Sequence, residues 1–126
     1  MTQQTILYIE DNPENRLLVK RVLEAEGYLV MEADSGMAGL SQAAETRPDL
    51  VLMDINLPEI DGYELTRRLK RMNHLAGVPV VAMTANVMKG DREKTLAAGC
   101  DGYIQKPIDV DQLPIQIARF LKVKLP

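Results

Sequence analysis

The sequence predicts an α/β domain built on a doubly wound parallel sheet of five strands in the order 2-1-3-4-5, a three-layer sandwich with helices on both faces. Three observations carry that expectation. Short apolar runs rich in β-branched residues alternate with segments of helical spacing five times along the chain. The run "LVLM" before Asp54 is apolar on successive positions, as a strand buried on both faces should be. Finally, 126 residues with 46% hydrophobic content are enough for one core, and no repeat, linker or low-complexity stretch divides them. Right-handed crossovers then leave few layouts, and five strands suit the 2-1-3-4-5 order.

The first strand is "TILYI" (5–9). The helix after it lies in "PENRLLVKRVLEAEG", with Asn12 as N-cap, Pro13 at the first helical position and Gly27 past the end. Leu18, Val22 and Ala25 fall on one face of it and are the expected buried stripe. The second strand is "YLVMEA" (28–33), followed by a helix over "GMAGLSQAAE". The third strand, "LVLMD" (50–54), leads through Pro58 and Gly62 into "GYELTRRLKRM". "PVVAMT" (79–84) is the fourth strand, and the polar segment "VMKGDREKTLAAG" is its helix. Gly90 there costs up to about 1 kcal/mol relative to alanine, so this helix is expected to be short and adjustable. The fifth strand is "GYIQ" (102–105). The last helix, in "QLPIQIARFLK", aligns Leu113, Ile117 and Leu121; Asp111 as its cap would keep Pro114 inside the first turn, where no hydrogen bond is lost.

Composition narrows the function classes. A net charge of −3 and the lack of a basic run interleaved with aromatics argue against nucleic-acid binding. The apolar runs are too short to span a bilayer, and "TQQT" after Met1 lacks the features of a secretory signal, so a cytoplasmic location is expected. One cysteine, Cys100, cannot form an internal disulfide, which fits a reducing compartment.

In an open α/β sheet, ligands bind beyond the carboxyl ends of the strands, at the point where the winding reverses. The first strand leads into Glu10 and Asp11, the third ends at Asp54, the fourth at Thr84, and the fifth runs into Lys106. Taken singly, each is an ordinary loop or cap residue; together they place three carboxylates, a hydroxyl and an ammonium in one crevice. Asp54 at the end of an apolar run is a strand terminator, a salt-bridge partner or a reactive group. One lysine is insufficient for three carboxylates, and a hard divalent ion with oxygen ligands is the natural remedy. Mg2+ accepts one or two carboxylates and keeps positions for water or phosphate. Asp11 and Asp54 are the ligand candidates, with the Asn56 carbonyl within reach and Glu10 acting through a bound water. Such a site gives Asp54 a use, because a carboxylate can attack phosphorus when a metal and a lysine offset the charge. Thr84 supplies a hydrogen bond to the same oxygens, and small Ala85 leaves the approach open.

With "YIEDNPEN", "LVLMDINLPEIDG", "PVVAMTA" and "GYIQKPI" in order and at the expected spacing, the chain resembles receiver domains of bacterial two-component response regulators along essentially its whole length. The resemblance implies a phosphoryl group taken onto Asp54 from the phosphohistidine of a histidine kinase or a His-containing phosphotransfer protein. It assigns Glu10, Asp11, Asp54 and the Asn56 carbonyl to Mg2+, and Thr84 and Lys106 to the phosphoryl oxygens. It also implies a switch in which Thr84 moves toward the phosphate, Tyr103 turns inward, and the face formed by the fourth helix, fifth strand and fifth helix meets a downstream target. The wording "AMTANVMKGD" is closest to stand-alone receivers of cell-cycle control and to receivers within hybrid kinases. Asn56 and Asn86 would tune the phosphate lifetime. A single receiver spanning 1–126, without an output domain or substrate turnover of its own, is the expectation.

Competing readings are a phosphorylation-independent pseudo-receiver, a receiver excised from a hybrid histidine kinase, an aspartyl-phosphate hydrolase and an FMN carrier. Asn56 stands where the hydrolase needs a second acid, and "EDNPEN" is the opposite of a neutral, hydroxyl-rich FMN loop. No glycine-rich nucleotide loop follows any strand. His74 reads as a solvated loop residue, Cys100 as a packing residue and "RRLKR" as a solvated basic face, while Ile115 is an exposed anchor candidate and Phe120 a core residue.

Overall fold

The computed structural model describes residues 3–85 and 89–123, with the side chains of 89–92 and 122–123 left aside. Its parallel sheet has strands β1 (Thr5–Ile9), β2 (Leu29–Ala33), β3 (Leu50–Asp54), β4 (Val80–Thr84) and β5 (Gly102–Gln105) in the order 2-1-3-4-5. The helices are α1 (Pro13–Ala25), α2 (Gly36–Glu45), α3 (Gly62–Lys70), α4 (Lys89–Ala97) and α5 (Leu113–Val123), with a 3-10 turn at Asn73–Leu75.

Two cores follow from the two-residue period of the strands. Leu7 and Ile9 of β1 face the same side as Val51, Met53, Val80 and Ala82, and Leu65, Leu69 and Ala43 of α3 and α2 cover them. Ile6 and Tyr8 face the other side with Leu50, Leu52, Val81 and Met83, under Val19, Leu23, Leu113, Ile117 and Leu121 of α1 and α5. β3 and β4 are buried at every position, as strands covered on both faces must be.

Helix ends are fixed by local chemistry. Asn12 accepts a hydrogen bond from the Asn15 N–H at 3.0 Å, and Ser35 caps α2 by accepting from Ala38 at 3.1 Å. At the end of α1, Gly27 adopts φ +93° while its N–H and that of Tyr28 donate to the Glu24 and Leu23 carbonyls. The Tyr28 N–H is therefore spent on the helix end, and β2 begins one residue later than expected. β4 likewise begins at Val80, although Pro79 still gives its carbonyl to Val51 at 2.9 Å. α3 ends two residues before the expected Met72.

Three sequence expectations are corrected. The stripe of α1 is centred on Val19 and Leu23, whereas Leu18 is 41% exposed and Ala25 also faces solvent. With Leu17, Leu18, Val19, Val22 and Leu23 all apolar, the period fits two phases, and packing against β1 and β3 selects one. The last helix does start late, but Asp109 prepares the start: its carboxylate accepts from the N–H groups of Asp111 and Gln112, and its carbonyl from Leu113. Finally, His74 is not simply solvated. Its Nε2 lies 2.6 Å from the Ala43 carbonyl and 3.1 Å from that of Thr46, so this nitrogen carries the proton and caps the end of α2. Arg47 returns the contact by donating to the His74 and Ala76 carbonyls.

Cys100 is buried beside the Thr66 hydroxyl, with its thiol pushed up by burial. In "RRLKR", Arg67 and Arg68 pair with Glu64 on the surface, while Lys70 reaches across to Asp101 at 2.6 Å. Phe120 is half-buried against the α1/α5 core, and Ile115 is exposed. Asn86, Val87 and Met88 lie outside the described residues. No helix among the described residues is long and apolar enough to cross a membrane.

Candidate phosphoryl-acceptor site

β1, β3 and β4 deliver their polar residues to one end of the sheet because all strands run the same way and are in close register (Tyr8 beside Leu52, Asp54 beside Met83). Asp54 is the last residue of β3 and is 4% exposed. Its Oδ1 accepts from the Asn56 N–H at 2.9 Å, and its Oδ2 from the Lys106 ammonium at the same distance. Lys106 arrives from just beyond β5, after its N–H donates to the Thr84 carbonyl at 2.8 Å, and a cis bond joins it to Pro107. Its Nζ also lies 3.3 Å from Glu10 Oε1. The same ammonium thus bridges two nearly buried carboxylates.

Glu10 is 1% exposed and held by three donors: the Tyr8 hydroxyl and Lys106 on Oε1, and the Asn12 N–H on Oε2. Burial, and after it the charge of Asp54, pushes its carboxyl above the ordinary value. Burial and then Glu10 likewise raise the Tyr8 phenol. For Lys106, burial acts downward, but the hydrogen bond and charge of Asp54, joined by Glu10, outweigh it and hold the ammonium above its usual range.

Asp11 is exposed, yet one carboxylate oxygen from each of Glu10, Asp11 and Asp54 lies within 4.8 Å of the others. Three hard oxygen donors at this spacing, with their negative charge only partly offset by Lys106, fit a hard divalent cation. Asn56 is on the exposed loop after β3, and Gly62 keeps that loop close to α3, since a Cβ there would meet the Ile55 carbonyl. Thr84 is buried at the end of β4, and its main-chain carbonyl accepts from the Lys106 N–H. Tyr103 stands apart from the acidic pocket, half-buried against the α2/α3 side of the sheet.

Some neighbours escaped the sequence reading. Tyr8 is a fully buried strand residue whose hydroxyl ends on Glu10. Arg16 donates from Nη1 to the Glu10 and Asp11 carbonyls. Beside Ala85 and Lys106, which the sequence already places at the site, Asn15, Leu18, Pro107 and Ile108 complete the lining of a cleft of about 570 Å³ next to the pocket. The one available signal was spacing: in a helix capped by Asn12, side chains of the first turn lean back over the acidic loop.

Residues 6–118 match the model of the response regulator receiver domain. The chain belongs to that family. A DivK protein of Brucella anthropi, a polar-differentiation response regulator, is 42% identical over 118 residues, an alignment that covers 94% of this chain and 96% of the relative. Among solved structures, the receiver domain of the sensor histidine kinase PA1611 from Pseudomonas aeruginosa is 36% identical, with a TM-score of 0.87 and coverage of 96% and 99% of the two chains. That receiver was solved with a magnesium ion coordinated in its active site cleft. CheY4 of Vibrio cholerae superposes with a TM-score of 0.90 at 24% identity over 94% and 99% of the chains, a likeness of fold. This receiver is a two-component signalling domain, and its acidic cluster is compatible with Mg2+.

Proposed function

We propose that this receiver accepts a phosphoryl group on Asp54 from the phosphohistidine of a histidine kinase or His-containing phosphotransfer protein, and that the acyl phosphate changes what its surface binds. The observation that carries the reading is the Lys106 ammonium, 2.9 Å from Asp54 Oδ2 at the edge of three converging carboxylates. A purely structural salt bridge would not gather two further acids around it.

In the transfer step an Asp54 oxygen forms the O–P bond as the P–N bond to the partner's imidazole breaks. The electron pair stays on the imidazole nitrogen, which takes a proton from solvent. Asn56 N–H and Lys106 hold the two Asp54 oxygens beforehand, so the nucleophile does not have to be oriented during the reaction. Glu10, Asp11, Asp54 and the Asn56 carbonyl would hold Mg2+. When bound, the ion offsets the charge of the carboxylates and of the incoming phosphoryl oxygens. Lys106 and the Thr84 hydroxyl take the remaining oxygens, and water attacking phosphorus later returns the aspartate. The cleft walled by Leu18, Pro107 and Ile108 opens on Lys106 and supports the approach of a partner's histidine from that side.

Output runs through Thr84 and Tyr103. Drawn toward the phosphate, Thr84 frees the space that Tyr103 then fills, and the face of α4, β5 and α5 changes shape. Leu96 of α4 and Ile115 of α5 are exposed apolar side chains, which supports a protein target. A second reading, the receiver segment of a hybrid kinase, is favoured by the likeness to PA1611. The test is phosphotransfer from a purified, phosphorylated His-phosphotransfer domain. The proposal expects label to leave the donor and appear on the receiver as a base- and hydroxylamine-labile acyl phosphate that Asp54→Asn does not form, and label appearing elsewhere or nowhere would overturn it.

A further inference from the structure

The three acids of the pocket are not held alike. Glu10 has three donors on its carboxylate, and Asp54 has two. Among the described residues, neither a hydrogen bond nor an ion pair reaches the Asp11 carboxylate. Its position within 4.8 Å of the other two therefore rests on its backbone. That backbone is tied by one side chain: Arg16 Nη1 donates to the Glu10 carbonyl at 2.7 Å and to the Asp11 carbonyl at 3.1 Å. The arginine is itself anchored from behind. Its Nε lies 3.9 Å from Glu32 Oε1 on β2, and Lys20 holds the other Glu32 oxygen at 3.2 Å. Its side chain is only 20% exposed, so the guanidinium is packed rather than swinging in solvent.

We infer that Arg16 is a positioning residue for the cation site, fixing the loop that presents Asp11; this rests on the Mg2+ reading proposed above. Nη1 alone reaches the two successive carbonyls while Nε of the same plane faces Glu32, so the guanidinium is held at both ends; an ammonium has one nitrogen and cannot keep both contacts as well. Outer-sphere contacts of this kind set metal affinity through the direction of the ligands they hold. A bare charge effect has the opposite sign. Removing a cation from beside an acidic pocket strengthens binding of a divalent ion, whereas removing a positioning group weakens it.

The experiment is calorimetric titration of the metal-free chain with MgCl2, on wild type, Arg16→Met and Arg16→Lys, with circular dichroism for the fold. The inference expects Kd to rise about tenfold in Arg16→Met, with Arg16→Lys in between. The rate of phosphorylation by acetyl phosphate should recover to within about twofold of wild type once Mg2+ is saturating, the pattern of a lost binding contribution. Folded Arg16→Met that binds Mg2+ as tightly as wild type, or tighter, overturns the inference and leaves the phosphotransfer reading standing. If Arg16→Met does not fold, Arg16→Lys decides, and unchanged affinity there overturns it. A wild-type chain that takes up no Mg2+ removes the phosphotransfer reading itself.

Discussion

Replacing Lys106 by methionine should move two measurable quantities in opposite directions. The ammonium sits 2.9 Å from Asp54 and 3.3 Å from Glu10. At an effective dielectric constant of about 20, these separations correspond to gross attractions of about 6 and about 5 kcal/mol. Desolvation of the three groups offsets most of that, and water reaches the mouth of the site, so a net loss of about 2 kcal/mol in folding stability is expected. The sign with pH is fixed: Lys106 is raised in the folded state, so its contribution is complete below 10.5 and disappears only as pH rises through the higher folded value. Neutral pH therefore reports the whole loss. For phosphorylation, removing one charged donor to the transferring group costs about 10²- to 10³-fold in rate. Mg2+ binding should nevertheless tighten, because the same substitution leaves the carboxylates without their cation. Initial rates with acetyl phosphate at saturating Mg2+, paired with calorimetry, read both effects. A Lys106→Met protein that phosphorylates within about threefold of wild type would refute the assignment of Lys106 to the reacting group.

Other residues give independent checks. Glu10 is raised by burial and by Asp54, so in the metal-free protein its contribution to stability is fully present below 4.5 and is lost as pH rises through its folded value. Glu10→Gln should flatten that part of the stability–pH curve in urea melts and weaken Mg2+ binding; an unchanged curve would contradict the burial argument. Gly102 lies under the Phe120 ring, where a Cβ would collide with it, and Gly102→Ala should cost about 1–3 kcal/mol by denaturation with the site chemistry intact. His74→Ala removes the donor at the end of α2 and should cost about 1 kcal/mol, with faster amide exchange in the last turn of that helix as its local signature.

The sheet was legible because each strand is bounded by residues with a single backbone use. Pro13 at the start of α1, Gly27 past its end and the buried run at Leu50–Asp54 leave little freedom in placing β1, α1 and β3. Site residues were legible for the same reason: once strand order is known, positions at strand ends are neighbours, and Glu10, Asp11, Asp54 and Lys106 do meet. What escaped depends on the direction of a side chain. The phase of α1 is ambiguous because "LLVKRVL" offers two apolar stripes, so spacing puts Leu18 in the core, whereas it lines the cleft. Tyr8 reads as one more apolar strand residue until its hydroxyl is found on Glu10. His74 and Arg47 are far apart in sequence and meet because the segment between α2 and β3 is hydrogen-bonded to the 3-10 turn that precedes β4. Asp109 displaced Asp111 in preparing α5 through a turn that hydrophobic spacing does not encode.

The central claim is that Asp54 is the phosphoryl acceptor of a magnesium-dependent site. Its most direct test is the intact mass of the protein after incubation with acetyl phosphate, with and without Mg2+, for wild type and Asp54→Asn. The account predicts one added phosphoryl group on wild type with Mg2+, and none when either Mg2+ or the Asp54 carboxylate is absent. An adduct of equal yield on Asp54→Asn, or on wild type without the metal, would contradict it.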